Sequence, residues 1–594
     1  MTLSGKQITG LTVTLILLLI VMATLGAYVG AVVYMKLTQI PVKPYLSWHL
    51  IYDQWRLYGQ DVRIRPYLQL AIAVWGTIAA IPFVLAGLVM YHAWERQELY
   101  GSARFSDDTD LSKSGLIPVK DSRVPGVLLG KVTKGRFKNR YLELDSTLFT
   151  IVMAGTRSGK GIGMVLPNCV SFPHNIVVMD IKFENFIKTA GIRQKFGQEV
   201  FLFAPDGFTF NSDEREGEQL HSHRWNCFDY VRRSTTYRVG DILGIASALY
   251  PVTGDPKTDM WNELASKLFK GIACWMLDTE SGTGVTPSLP YVLHLFGTDG
   301  GLRAWMKQQI QNTAVSDDAK FEFNACLSMA QETYSSVESN LLAPLAIFSD
   351  KVVAASVMAS DFDLKDLRRK RMSVYVGCLP GRLSVMSKLF NLFFDQLINE
   401  NTKVLPEQDP SIQYQCLLVL DEFAAIGRIN QIAKGVSYVS GYWLRFLTVL
   451  QDESQLLDPK LYGRETGTNL IKNHAAKVIY PPKEVDESVR KLSDSLGTKT
   501  VKRRKITHSY GKGHSRNVSH EEHKRPLMYP HEIVELGFEK HPVAKRVGTK
   551  ILVLMENQRP LLARKLIYFD EPQMKHRVDY SEAHIPAIPL LSLD

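Results

Sequence analysis

Cysteine is scarce in this sequence. The chain carries six (Cys169, Cys227, Cys274, Cys326, Cys378 and Cys416), and none forms a C-x-x-C pair. Their spacing fits neither a zinc site nor a disulfide framework. Set in apolar runs, they read as buried, reduced thiols of a cytosolic compartment. Low-complexity tracts are also missing. With 45% hydrophobic and 22% charged residues the composition is that of a folded protein. There is no acidic excess: 70 Lys and Arg stand against 60 Asp and Glu, a formal net charge of +10. That balance permits contact with nucleic acid or anionic lipid and proves neither. At 594 residues the chain exceeds what one hydrophobic core holds, so two or three domains are expected.

Charge is absent altogether from two early stretches, residues 11–34 and 67–91. At about 1.5 Å per residue each is long enough, as a helix, to cross a hydrocarbon core of about 30 Å. The first is too long for a signal-peptide core, and no A-x-A-like site clearly follows it. Pro82 is tolerable inside a membrane helix. Trp75 lies mid-span, while Tyr67, Tyr91 and Trp94 lie near the ends of the second span, where aromatic belts form. Gly26 and Gly30 make a G-x-x-x-G, which is either a helix-packing face or a chance pair in a glycine-tolerant segment. The polar loop 35–66 carries Lys36, Lys43, Arg56, Arg63 and Arg65, whereas only Lys6 precedes the first span. The positive-inside rule alone would place that loop inside. The motifs that follow the second span overrule it: both termini are expected in the cytoplasm and the loop in the periplasm.

Residues 148–170 read LFTIVMAGTRSGKGIGMVLPNCV. An apolar, β-branched strand runs into the turn Gly155-Thr156-Arg157-Ser158-Gly159-Lys160-Gly161, and a helix follows. Strand, glycine-rich turn and helix is the context of a phosphate-binding loop: backbone N–H groups face the phosphates, Lys160 reaches the β/γ-phosphates, and the helix N-terminus favours the anion. The pattern G-x-x-x-x-G-K-[ST] is incomplete at both ends. Ala154 stands at its first glycine, and Gly161 stands where a Mg²⁺-binding hydroxyl belongs. A second half of the site supports it. Residues 416–422, CLLVLDE, form a hydrophobic strand ending in two carboxylates. Asp421 fits the orientation of Mg²⁺ and Glu422 the activation of water. They lie about 260 positions beyond Lys160, so the pairing must be tertiary, expected across neighbouring parallel strands. A third strand, LRFLTVLQ, ends at Gln451, where a polar side chain can report loss of the γ-phosphate.

The Gly161 departure is itself recognisable. TRSGKGIG resembles the phosphate loop of the TraG-type coupling proteins of type IV secretion and conjugation, which reads TRSGKGVG. YGSARF at 100–105, VVMDIKFE at 177–184 with Phe183 for the usual glycine, and RWNCF at 224–228 with Cys227 for proline resemble further segments of that family. So do DEFAAIGR at 421–428, the Q-x-x-x-Q-L from Gln451 to Leu456, Tyr462-Gly463, and RPLMYPHEI at 525–533. The resemblance covers nearly the whole chain. It implies an α/β fold: a RecA-like P-loop ATPase domain with an inserted all-α domain, on an N-terminal two-helix transmembrane hairpin in the bacterial inner membrane. It further implies ATP and Mg²⁺ as cofactors and assembly as a homo-hexamer. The expected partners are type IV secretion channel subunits and a relaxase–DNA complex or protein effectors. A ring would need an inter-subunit arginine, for which Arg428 and Arg445 are candidates, each equally readable as a structural partner.

Read from the residues, the layout is a hairpin over 1–95, an α/β nucleotide-binding domain over 96–232 and 361–594, and an all-α domain over 233–360, where helical periodicity dominates. Residues 499–525 are the most basic stretch, with nine Lys and Arg (Lys499, Lys502, Arg503, Arg504, Lys505, Lys512, Arg516, Lys524, Arg525) against Glu521 and Glu522. Without a long apolar run this segment is expected to be a solvated mobile loop, able to touch phosphates without reading sequence. Its four histidines lack metal-ligand spacing. Two other functions fit parts of the pattern. A non-hydrolysing membrane adaptor would explain Gly161 but has no need of a water-activating Glu422. A DNA pump of another P-loop motor family would share the motor but not the GSAR and TRSGKG segments.

Overall fold

The computed structural model describes residues 5–93, 99–118, 124–435, 438–509 and 515–593. Trp94, and Lys512 with His514 of the basic segment, lie outside them, and the Tyr91 and Arg516 side chains are not described. The chain divides into two units, Met1–Leu99 and Tyr100–Asp594.

In the first unit two long helices, Gly5–Leu37 and Arg65–Ala93, pack side by side. The parts long and apolar enough to cross a membrane are Leu15–Leu37 and Arg65–Leu88. The glycine pair does form a packing face. A methyl at Gly30 would stand 2.8 Å from the Ala71 carbonyl oxygen, and one at Gly26 would stand 3.0 Å from that of Trp75. With no side chains there, the helices approach closely enough for the Trp75 indole N–H to donate to Ala23 O at 3.0 Å. The connecting segment is not featureless. It holds the helices Val42–Tyr45 and Leu50–Tyr58, and Ile51 of the second is buried with Ala31, Tyr34, Leu68 and Ala71.

The second unit is built on a mixed sheet. Its strands are β1 (Val127–Val132), β2 (Tyr141–Leu144), β3 (Thr150–Met153), β4 (Asn175–Met179), β5 (Glu199–Phe203), β6 (Met372–Val376), β7 (Cys416–Leu420), β8 (Leu444–Leu450) and β9 (Ala476–Ile479). β10 (Thr498–Ser509) and β11 (Ser515–Pro526) stand apart, and β12 (Lys550–Met555) and β13 (Leu561–Arg564) complete the sheet. The eleven-stranded order is β2-β1-β13-β12-β9-β3-β8-β7-β4-β6-β5. From β9 to β5 every pairing is parallel. β12, β13, β1 and β2 extend that sheet as an antiparallel wing. The central strands β4, β6, β7 and β8 are buried at every position, as a parallel sheet covered on both faces requires, and their few polar side chains, Asn175, Ser373, Arg445 and Thr448, are buried with them.

Between β5 and β6 the described residues contain no strand. The helices Arg238–Leu249, Pro256–Thr283, Gly301–Ile310, Asp317–Leu327 and Gln331–Leu345 fill the interval. The longest starts at Asp255, whose carboxylate accepts the Thr258 N–H, and stops at Gly284 in the left-handed conformation. Phe269, Trp275, Trp305 and Phe323 form its interior, and this core runs without a break into Phe203, Trp225 and Phe393 under the sheet. Among the described residues, helices therefore dominate 233–360 while sharing one core with the α/β part.

The basic segment is not a loop. β10 and β11 pair in register from Thr498↔Pro526 to Ser509↔Ser515 as an antiparallel ribbon. Neither strand has an apolar face, so no periodic signal marks it: the backbone ladder carries the pairing. Its root is tied to residues 100–103, with Ala103 N–H donating to Thr498 O and Thr500 N–H to Gly101 O, both at 3.0 Å. Lys502–Glu522 and Lys505–Glu521 bridge the strands at 2.9 Å.

Candidate nucleotide site

β3 ends at Met153, and the next residue explains why the motif tolerates alanine. Ala154 still belongs to the ladder: its N–H donates to Leu450 O at 2.9 Å, and its backbone is not left-handed. The turn then uses Arg157 at φ 61° and Gly159 at φ 87°. Gly159 is required, because a Cβ there would stand 2.7 Å from Val547 Cγ1. Gly161 is not required by sterics, since a Cβ there would meet nothing within 4 Å. The helix that follows opens with a π-turn, Gly161–Val165, before Leu166–Ser171. Such turns recur at functional sites.

Lys160, Asp421 and Glu422 meet. Lys160 Nζ lies 3.0 Å from Asp421 Oδ1 and donates to Glu422 Oε1. Burial favours a neutral lysine, but the two carboxylates outweigh it and hold the ammonium above its ordinary range. Burial pushes the Asp421 carboxyl up, and the Lys160 ammonium opposes that push. Glu422 reaches the lysine because its own backbone is left-handed, φ 58°, at the start of the turn Phe423–Ile426. The expected strand neighbourhood is corrected: β7 does not pair with β3. β8 lies between them, paired in parallel with both, so Lys160 spans a strand to reach the carboxylates. Gln451, next after β8, therefore stands between the loop and the carboxylates. Its N–H donates to Gln455 Oε1 at 2.8 Å and its side chain is exposed.

The arginine candidates separate. Arg445 lies in β8 with 0% exposure and donates to Leu144 O at 2.9 Å and to Pro125 O. It faces the interior of its own subunit, and an inter-subunit role is withdrawn. Arg428 is exposed seven positions beyond Asp421 and forms no ion pair among the described residues.

At the end of β4, Asp180 accepts the N–H groups of Asn185 and Phe186 at 3.2 and 2.6 Å and caps the helix Glu184–Lys195. Burial raises its carboxyl to about 7. Phe183, at the family's glycine, keeps the left-handed backbone, φ 61°, and is held by packing on Phe208 with ring centroids 5.2 Å apart. Glu184 is exposed. All six cysteines are free and buried, and the described residues hold no His/Cys/Asp/Glu group suited to a metal. An Mg²⁺ ion would thus depend on Asp421 together with the phosphates, a fit for an ion that keeps most of its water.

Sequence reasoning missed four residues around the loop. Lys483 Nζ donates to Thr156 Oγ1 at 3.2 Å, and Tyr480, Val547 and Lys565 pack behind the turn. Lys565 had no distinct signal: in LLARKLIYF it follows Arg564, and nothing in the sequence tells the buried cation from the exposed one.

Comparison with known proteins agrees with this architecture. The model of the family described as type IV secretory system conjugative DNA transfer matches residues 104–588. A conjugal transfer protein TraG of Escherichia coli is 27% identical over 518 residues, covering 81% of this chain and 78% of that protein. Protein VirD4 of Agrobacterium fabrum is 25% identical over 530 residues, 88% of this chain and 72% of the relative. Among solved structures, the plasmid coupling protein TrwB in complex with the ATP analogue ADPNP superposes with a TM-score of 0.53 at 15% identity, covering 80% of this chain and 96% of that one. TrwB in complex with ADP and Mg²⁺ gives 0.52. The RecA-like α/β fold with its all-α insertion is thus shared, and the chain belongs to the conjugative DNA transfer family of type IV secretion, the TraG-type coupling proteins.

Proposed function

We propose that this protein hydrolyses ATP to drive substrate into a type IV secretion channel, as a homo-hexamer held in the bacterial inner membrane. The contact of Lys160 with Asp421 and Glu422 carries the reading, because it gathers a phosphate-binding lysine and two carboxylates at one end of a parallel sheet. Relatives crystallised with ADPNP or with ADP and Mg²⁺ support ATP and Mg²⁺ as the ligands. Mg²⁺, when bound, supplies charge neutralisation at the phosphates. Asp421 would hold it, the amides of 155–161 and Lys160 would hold the phosphates, and Glu422 would take the proton of the attacking water. Gln451 would couple loss of the γ-phosphate to movement, and Arg428 would serve the neighbouring subunit.

Both termini are placed in the cytoplasm and 35–66 in the periplasm, since two spans return the chain to the side where ATP is found. The ribbon β10–β11, basic on both faces, supports a relaxase–DNA complex as cargo through sequence-blind phosphate contacts. Channel subunits and protein effectors follow from family membership.

The test is ATP turnover by the purified full-length protein, with and without single-stranded and duplex DNA, beside Glu422→Gln. Turnover that rises with DNA and is lost in the variant is expected. Absence of turnover from an assembled oligomer with DNA would overturn the motor reading and favour an adaptor.

A further inference from the structure

The back of the phosphate loop is contacted by side chains from β9 and the antiparallel wing. Tyr480 follows β9, with its N–H bonded to Met153 O at 2.9 Å. Its hydroxyl would stand 3.0 Å from a Cβ at Gly163. Val547, before β12, closes on Gly159. Lys565, after β13, donates from Nζ to Ser158 O at 2.9 Å and lies 4.0 Å from the centroid of the Tyr480 ring.

Lys565 is 4% exposed and has no carboxylate partner among the described residues. A buried lysine without a counter-ion is costly to keep charged. The groups facing it are the Tyr480 phenol, the Ser158 carbonyl and, as a like charge, Lys540. The Tyr480 and Ser158 hydroxyls are themselves buried and meet no protein partner. Burial, aided by Lys540, pushes Lys565 down to about 7.

The bond to Ser158 O has a directional consequence. A trans peptide is planar, so its C=O and its N–H point opposite ways. Ser158 O belongs to the same peptide as the Gly159 N–H. Holding that oxygen behind the loop turns the Gly159 N–H to the front, where a phosphate is bound.

We infer that Lys565 is a second lysine of the nucleotide site: a positioning residue that aims the Gly159 N–H at the phosphates of a bound nucleotide and takes up a proton as they arrive. This rests on the nucleotide reading proposed above. The phosphate charge favours the ammonium over the neutral amine, so binding raises the protonation of Lys565. Affinity is then greatest below about pH 7 and falls, by at most about tenfold per pH unit, as pH rises above it.

The test uses the full-length protein and fluorescent ADP, titrated from pH 6 to 9, in wild type, Lys565→Met, Lys565→Arg and Lys160→Ala. Calorimetry in two buffers of different ionisation enthalpy counts protons. Wild type should take up about half a proton more at pH 7 than Lys565→Met, a difference from which the nucleotide's own titration cancels. Lys565→Met should bind about tenfold more weakly at pH 6.5. The ratio of its affinity to that of wild type, which cancels the nucleotide's own titration, should approach one near pH 9. Lys565→Arg should restore affinity without that pH dependence. If wild type and Lys160→Ala both fail to bind, the nucleotide reading itself is wrong. If wild type binds, Lys160→Ala does not, and Lys565→Met matches wild type in affinity and proton count, this inference alone is overturned. Should Lys565→Met not fold, Lys565→Arg decides: retention of the wild-type pH slope overturns the inference.

Discussion

Lys160 and Glu422 are hydrogen-bonded to one another although the strands that carry them are not neighbours. Phosphates and two carboxylates therefore compete for one ammonium. Replacing Glu422 with Gln should lower ATP turnover by at least about 100-fold, the scale of a lost general base, while nucleotide binding holds or tightens. Lys160→Ala should lose both binding and turnover and leave membrane insertion intact. Equilibrium binding beside steady-state turnover separates the two, and an E422Q protein that turned over normally would remove Glu422 from the chemistry.

The two arginines should fail differently. Arg445→Met strips donors from the buried carbonyls of Pro125 and Leu144 and should destabilise the unit by roughly 2–5 kcal/mol, seen in thermal melts. Arg428→Ala should melt like wild type and lose turnover in the assembled ring. Mixing it with active subunits and measuring the dose dependence checks whether it acts on a neighbour.

Two loop glycines make a matched pair. Gly159→Ala should weaken nucleotide binding by more than about tenfold, through its left-handed backbone and the collision with Val547. Gly161→Ser enters open space, so stability should not change. The new hydroxyl should lower the Mg²⁺ concentration needed for half-maximal turnover. Magnesium titrations of the two proteins test it.

His474 sets an acid limit. Its Nδ1 donates to Leu470 O at 2.7 Å, so its Nε2 is the acceptor facing Thr448 Oγ1 at 3.0 Å, a neutral imidazole buried under β8. Burial pushes it down to about 4. The folded value lies below the unfolded one of about 6.5, so the unfolded chain binds more protons between them. Stability contributed by this group is complete above about pH 6.5 and is lost as pH falls towards 4, by up to about 3 kcal/mol. His474→Asn should flatten that part of the stability profile in melts taken from pH 4 to 7.

The strands β4, β6, β7 and β8 were legible because each is a short run dominated by apolar residues, and Lys160, Asp421 and Glu422 because their chemistry stands at strand ends. The order of the strands was not legible: nothing in residues 416–422 says that β8 slips between them and the loop. The ribbon was missed because its stability owes nothing to a hydrophobic period. Arg445 looked available because sequence shows charge and not burial. Lys565 was passed over because its partner is a backbone carbonyl, and carbonyls leave no mark in a sequence.

The wing behind the phosphate loop also gives the protein a timetable. Lys565 is 407 positions beyond Ser158, which it holds. At roughly 5–20 residues per second, a ribosome needs roughly 20–80 s to make that interval. Throughout it, the apolar helices Gly5–Leu37 and Arg65–Ala93 have already emerged, while the turn at 155–161 lacks its backing. The two apolar helices thus precede the finished nucleotide site, and under the proposed function a nascent chain still short of β12 and β13 would reach the bilayer before it could use nucleotide.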